Sequence, residues 1–290
     1  MSKITAIIPS LVDVDKKYLK LCVESLRESG FDGDITVVAN GSRDMNPLHD
    51  TPIEGITKFL VTKTQGQCGA VNTGANAAEG DCEYLFIINA DMYFAPGWDK
   101  NLRFDYPVFS PNLIEPVDNT GSAPPFLKRD WGNNLEDFKK ERADIGVRSA
   151  LDTMRARTSG NNEIQPTEET GFNLPFFIRR DVWNTIGGYD AKYDPWGSNS
   201  DTDLQTRINL AGITPMRLRD VLVYHFSNKS GTFDGSHQED WQKNWDYFDQ
   251  KFGFNRDNLS SDVWYNKDML PENLDDCKFQ PDWIMKYADD

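Results

Sequence analysis

The stretch "CEYLFIINADMYFAPGWDKNL", residues 82–102, decides the fold. Tyr84 to Ile88 form an unbroken apolar run, as in a strand covered on both faces. The run stops at Asn89-Ala90-Asp91. A core strand thus delivers a carboxylate to its own C-terminal tip. In an open α/β sheet, ligands bind outside that end of the strands. The expectation is that Asp91 stands on the rim of a ligand site and that Met92, Tyr93 and Phe94 wall it.

The flanking segments extend this reading. "KITAIIPS" (3–10) predicts a first strand, "DITVVANGS" (34–42) a second and "GITKFLVTKT" (55–64) a third. "DKKYLKLCVESLRESG" (15–30) has apolar residues at helical spacing with Gly30 as the stop, and "QCGAVNTGANAAEG" (67–80) predicts a small-residue helix. Alternating strands and helices predict a Rossmann-like, doubly wound, mostly parallel sheet of the α/β class. Pro9-Ser10, Asn40-Gly41-Ser42 and Asn89-Ala90-Asp91 then converge on one edge. Residues 105–170 are more polar and proline-rich and predict an insertion, with a helix at 134–157. "TGFNLPFFIRRDVWNTIGGYD" (170–190) returns to strand then helix, "SDTDLQTRINLAG" (200–212) is a helix and "VLVYHF" (221–226) a strand. One domain over 1–230 is expected. An aromatic-rich helical and loop extension over 231–290 packs on it, carrying Trp241, Trp245, Tyr247, Phe248, Phe252, Phe254, Trp264 and Trp283.

The 290-residue chain has 31 basic and 46 acidic residues, a net charge of -15. Such a field repels nucleic acid and anionic membranes, and an acidic protein that holds a diphosphate gains from a divalent cation. The four cysteines (Cys22, Cys68, Cys82, Cys277) lack zinc spacing. No run is long enough to span a membrane and the N-terminus lacks a signal-peptide pattern, so the reading is cytoplasmic.

Several residues carry candidate chemistry. Asp91 is either a turn aspartate or a ligand for a hard cation bridging two phosphates. His225 is either structural or, with carboxylate and phosphate oxygens, a ligand suited to Mn2+. Ser200 and Asp203 fit a capping box on the 200–212 helix. Asp201 is not needed for that cap; in the first turn the helix dipole favours its ionised form, which suits either a general base or a second dipole-complementing acid. Gly69, Ala70, Asn72 and Gly74 at a helix start let a ligand or a backbone approach closely. The basic residues of the 134–157 helix (Lys139, Lys140, Arg142, Arg148, Arg155, Arg157) are either a salt-bridged face or a phosphate-binding patch.

Taken in order, "IIPS", "VVANGS", "GQCGAVNTGANAAEGDCEYLFIINADMYFAPGW", "FFIRRDVWNTIGGYD", "SDTDLQTRINLAG" and "YHFSNKSG" resemble the family 2 nucleotide-sugar glycosyltransferases of the GT-A fold, over about residues 3–232. The resemblance implies that Asn89-Ala90-Asp91 is the metal motif in a variant whose first acid is Asn, with Asp91 the ligand to Mn2+ or Mg2+ and His225 on the metal or diphosphate. It implies donor contacts from Pro9, Ser10, Asn40, Gly69, Asn72, Asn89 and Ala90, and acceptor contacts from Trp196 and Gly188-Tyr189. Asp201 matches the catalytic aspartate. Three positions depart from the pattern: Ala39 where a nucleotide-contacting Asp is common, Ser200 in place of Glu, and Asn89.

The implied enzyme is an inverting glycosyltransferase that moves a sugar from a UDP- or dTDP-type donor to a hydroxyl of a glycan or other acceptor. Asp91, Asp201 and His225 are expected around a single cavity, with "SNKSGTFDGS" (227–236) as a lid. The competing readings are a nucleotidyltransferase, the same transfer onto a hydroxylated DNA base, and a non-catalytic nucleotide- or glycan-binding module. "PSLVDVDKKY" lacks the glycine- and arginine-rich loop the first requires.

Overall fold

The computed structural model describes residues 3–117, 127–157, 164–168, 174–227, 229 and 237–252. The first ninety residues build a parallel half-sheet: β1 (Ile4–Ser10), β2 (Asp34–Asn40), β3 (Lys58–Thr62) and β4 (Tyr84–Ile87), with helices α1 (Val12–Glu28) and α2 (Gln67–Ala77) between them. Ala6 of β1 faces Ile35 of β2 on one side and Phe86 of β4 on the other. These strands are apolar on both faces because both are covered. Helix α1 buries Leu19, Cys22, Val23 and Leu26, the i, i+3, i+4, i+7 stripe of an amphipathic helix. It begins at Val12, ahead of the expected start, because the Asp15 carboxylate folds back to accept the Leu11 N–H.

The second half is mixed. The sheet runs β3-β2-β1-β4-β9-β6-β10-β5, with β5 (Met92–Tyr93), β6 (Val108–Pro116), β9 (Phe176–Arg179) and β10 (Met216–His225); the short β7 (Lys128–Arg129) pairs with β6, and β8 (Thr167–Glu168) with β10. β9 is antiparallel to both β4 and β6, while β6 and β10 are parallel. Segment 105–170 is therefore no appendage: it supplies β6, wholly buried within the sheet. Its helix α3 (Lys140–Arg157) starts later than the sequence pattern suggests and packs on β10.

Met92, Tyr93 and Phe94 are core residues, not pocket walls; none is more than 1% exposed. The Tyr93 hydroxyl donates to Asp144 of α3, and Phe94 packs on Phe86 and Trp98. The apolar run continues past Asp91 because β5 joins the end of β10 in antiparallel register, with Met92 opposite His225.

Helices α4 (Arg180–Ile186), α5 (Ser200–Leu210) and α6 (Gln238–Phe252) complete the described fold. α6 is tied to the segment before α5: Asn244 donates to the carbonyls of Tyr193 and Ser198, and Lys251 pairs with Asp190 and Asp203. Phe254, Trp264, Trp283 and Cys277 lie outside the described residues, as does most of 227–236. No described helix is long and apolar enough to cross a membrane.

Candidate active site

The strand tips are joined by hydrogen bonds. Asn40 at the end of β2 donates to the Ser10 carbonyl at the end of β1, and its Oδ1 accepts the Gly66 N–H just before α2. The Ser10 hydroxyl donates to Asp15, which is 4% exposed. Burial pushes the Asp15 carboxyl up to about 6, the neighbouring Asp91 adds to this, and the bonds from Ser10 and Leu11 oppose it. Pro9 is buried in β1 and Ala90 beside Asp91; Asn89 is half-buried and its carbonyl faces the Cys22 thiol.

Asp91 sits just past the tip of β4. The pairing of β5 with β10 brings His225 beside it: Nε2 lies 3.3 Å from Asp91 Oδ1, and the Asp91 carbonyl accepts the Phe226 N–H. Burial disfavours the charge on Asp91, but the charge and hydrogen bond of His225 outweigh it and hold the carboxyl below its usual range. Burial likewise opposes the imidazolium, yet Asp91 and Glu115 raise His225 to about 9. Nδ1 of His225 is 3.1 Å from Glu115, a carboxylate 1% exposed at the end of β6, which also binds Lys128. The sequence reading passed over Glu115; the one signal was an acid within an otherwise buried strand.

The donor set fits a divalent cation of the Mn2+ type. An imidazole nitrogen and a carboxylate oxygen converge, and two adjacent ligands on an octahedral ion stand about 3 Å apart. Among the described residues no group of three or more His, Cys, Asp or Glu side chains forms, so the chain would offer two ligands and leave the other positions open.

Asp201 belongs to a second group. It lies in the first turn of α5 and accepts the Tyr189 hydroxyl at 2.6 Å. Tyr189 is fixed by Asn72 of α2, whose amide donates to the Tyr189 carbonyl and accepts the Tyr189 N–H. Both polar ends of Asn72 are thus engaged, and Tyr189, 2% exposed, faces Asp201 rather than an open surface. Ser10, Asn40 and Gly66 link the tips of β1 and β2 to the start of α2, the helix that carries Asn72. Burial pushes the Asp201 carboxyl up to about 6, against the lowering effect of Tyr189. The helix dipole was expected to dominate; crowding around the carboxylate wins.

The capping box is not formed. Asn199, in the left-handed region (φ 65°), stands at the cap, and Ser200 is already helical, its hydroxyl donating to the Gly197 carbonyl. Asp203 is fully buried against Arg207 and Lys251, both at 2.6 Å. The Gly69 N–H and the Cys68 N–H are taken by Asp194, a further carboxylate the sequence reading missed, and a Cβ on Gly66 would collide with it. Trp196 stacks on His237, with ring centroids 3.5 Å apart, and lines a cavity of about 300 Å³ between residues 192–196 and α6. The basic residues of 128–157 include three already paired: Lys128 with Glu115, Lys139 with Asp130 and Lys140 with Glu28.

Residues 5–103, which hold β1 to β5, match the family model described as Glycosyl transferase family 2. Among solved structures, residues 1-349 of S. aureus TarS align with TM-score 0.51 and 13% identity, over 88% of this chain and 73% of that fragment. The same stretch of TarS in complex with UDP-GlcNAc aligns equally well. GalNAc-T7 with UDP, GalNAc and Mn2+ aligns with TM-score 0.54 and 14% identity, over 77% of this chain and 43% of GalNAc-T7. At these identities the likeness is one of fold. No curated protein matches the chain.

The described fold is that of the GT-A glycosyltransferases. The match to the glycosyltransferase family 2 model is carried by residues 5–103, about a third of the chain.

Proposed function

We propose that the protein is an inverting transferase that moves a sugar from a uridine- or thymidine-diphosphate sugar to a hydroxyl of a glycan or other acceptor. The observation that carries this reading is Asp201, a crowded carboxylate whose hydrogen-bond partner is a neutral phenol. A base works best when its pKa lies near the working pH, and about 6 meets that condition. Asp201 takes the acceptor proton as the acceptor oxygen attacks the anomeric carbon. The bond to the diphosphate breaks on the opposite face, through an oxocarbenium-like transition state. Tyr189 donates to the carboxylate and sets its proton affinity, and Pro9, Ser10, Asn40, Gly69, Asn72, Asn89 and Ala90 shape the donor side. Asp91 and His225 would hold Mn2+ or Mg2+, which when bound neutralises charge on the leaving diphosphate. Trp196 contributes to the acceptor side. The UDP-GlcNAc bound by TarS and the Mn2+ and UDP bound by GalNAc-T7 support the donor and metal classes.

The test is a panel of UDP- and dTDP-sugars assayed for release of free nucleotide with Mn2+, Mg2+ or EDTA. Release that requires the metal and one donor class is expected; no release from any sugar nucleotide would refute the reading. Asp91→Ala is expected to abolish metal-dependent donor binding by calorimetry, and unchanged binding would remove Asp91 from the metal role.

A further inference from the structure

A row of four side chains crosses the sheet from the tip of β4: Asp91, His225, Glu115 and Lys128, with Glu115 the most buried of them. We infer that Glu115, braced by Lys128, is the residue that positions His225 for the divalent cation. The inference rests on the metal role proposed above.

The backbone sets the row. β6 and β10 are parallel with Tyr224 opposite Ile114, so His225 and Glu115 are the next residues in register. β7 lies on the other side of β6 and places Lys128 opposite Glu115. Glu115 Oε1 faces His225 Nδ1 at 3.1 Å, while Oε2 accepts from Lys128 Nζ at 3.1 Å. The Lys128 side chain is 15% exposed and that of Glu115 2%.

Both ring nitrogens face carboxylates, which only accept, so the metal-free ring can donate from each. Nε2, beside Asp91, is the nitrogen that a cation shared with Asp91 would take over, which leaves Nδ1 to donate to Glu115. A metal-bound histidine commonly donates its other N–H to a carboxylate, which fixes the ring and strengthens the ligand. With two protein donors in the set, correct aim of each ring atom matters more than in a site closed by four. Lys128 has the complementary task of keeping a carboxylate acceptable inside a buried strand, since an unpaired buried charge is costly.

The test uses the full chain and Mn2+ itself. Free Mn2+ is counted by electron paramagnetic resonance, with and without UDP, for wild type, Glu115→Gln and the charge-balanced pair Glu115→Gln/Lys128→Met. The inference expects Mn2+ binding about 10–100-fold weaker in both variants, with melting temperatures in EDTA that match wild type for the balanced pair. Wild-type affinity in both variants overturns the inference and leaves the metal role of Asp91 and His225 standing. Failure of wild type to bind Mn2+, alone or with UDP, overturns the metal role and the inference with it. A second measurement needs no variant. In wild type loaded with diamagnetic Cd2+, ring nitrogen NMR of His225 should show a retained proton on Nδ1 and a metal-shifted Nε2. A metal-shifted Nδ1 overturns the inference even if both variants fail to fold.

Discussion

Asp201 and Asp203 stand two residues apart on α5 and live in opposite surroundings. A helix turns about 100° per residue, so the two side chains leave it on nearly opposite sides. Asp203 points inward, where Arg207 and Lys251 each approach within 2.6 Å and the Tyr193 hydroxyl within 3.1 Å. Burial disfavours its charge, but the two cations outweigh it and hold the carboxyl below its usual range. Asp201 leaves the other side and meets the Tyr189 hydroxyl, and burial carries it up to about 6. The carboxylate whose charge is held is given two cations, and the one whose value is raised is given a neutral donor. Arg207, the partner of Asp203, also donates to the carbonyls of Ile186 and Gly188 and so steadies the loop that carries Tyr189.

The largest effect that would break this contrast is on rate. Asp201→Asn is expected to lower kcat by ~10²–10⁴-fold while donor affinity stays within a few-fold. Steady-state kinetics beside nucleotide-sugar calorimetry would check both halves. An unimpaired variant would put Asp201 on the same structural footing as Asp203. Next in size is stability. Arg207→Met leaves a buried carboxylate short of one cation and should cost about 3–5 kcal/mol in urea unfolding. A loss under about 1 kcal/mol would mean that Lys251 alone balances Asp203.

The two aspartates also show what the sequence could reveal. The parallel half of the sheet was legible, because apolar runs broken by Gly and polar tips are local signals. The tip carboxylate Asp91 and the first-turn position of Asp201 were legible for the same reason. The mixed half was not: β9 enters antiparallel between β4 and β6, and nothing local in "FFIR" states a direction. The capping box failed because spacing alone cannot distinguish a cap from a buried ion pair; Lys251 arrives from 48 residues away. Glu115, Lys128 and Asp194 escaped for the same reason, since each acts through a partner remote in sequence or lodged in an ordinary-looking strand. Asp194 reaches α2 across 125 residues.

A pH series sharpens the contrast further. Asp201 must be ionised to accept a proton, so kcat/KM should fall about tenfold per pH unit below about 6. Stability should move the other way. Asp15, Asp194 and Asp201 each have a folded value of about 6, above the ~3.9 of an unfolded aspartate. Between pH ~4 and 6 the folded chain therefore binds more protons than the unfolded one, and stability declines as pH rises through that window. Asp203, with its value lowered, contributes stability that is present above about pH 4 and is lost on further acidification. Thermal melts at pH 5 and pH 7 should thus show the higher Tm at pH 5, where activity is nearly gone. A Tm that tracks activity would contradict the raised values.

The smallest effect isolates the phenol that separates the two aspartates. Tyr189→Phe removes one hydroxyl that donates to Asp201 and leaves the ring packed on Trp183. Because that hydrogen bond favours the charged carboxylate, its loss should raise the Asp201 value further. The acid limb of the kcat/KM profile should then move to higher pH by up to about one unit, while the plateau above pH ~8 changes only a few-fold. Donor affinity should stay within a few-fold, since the contacts of Asn72 with the Tyr189 backbone are kept. A limb that stays in place would mean that crowding alone sets the base. A plateau that collapses would mean that Tyr189 orients Asp201, so that geometry rather than proton affinity limits the rate.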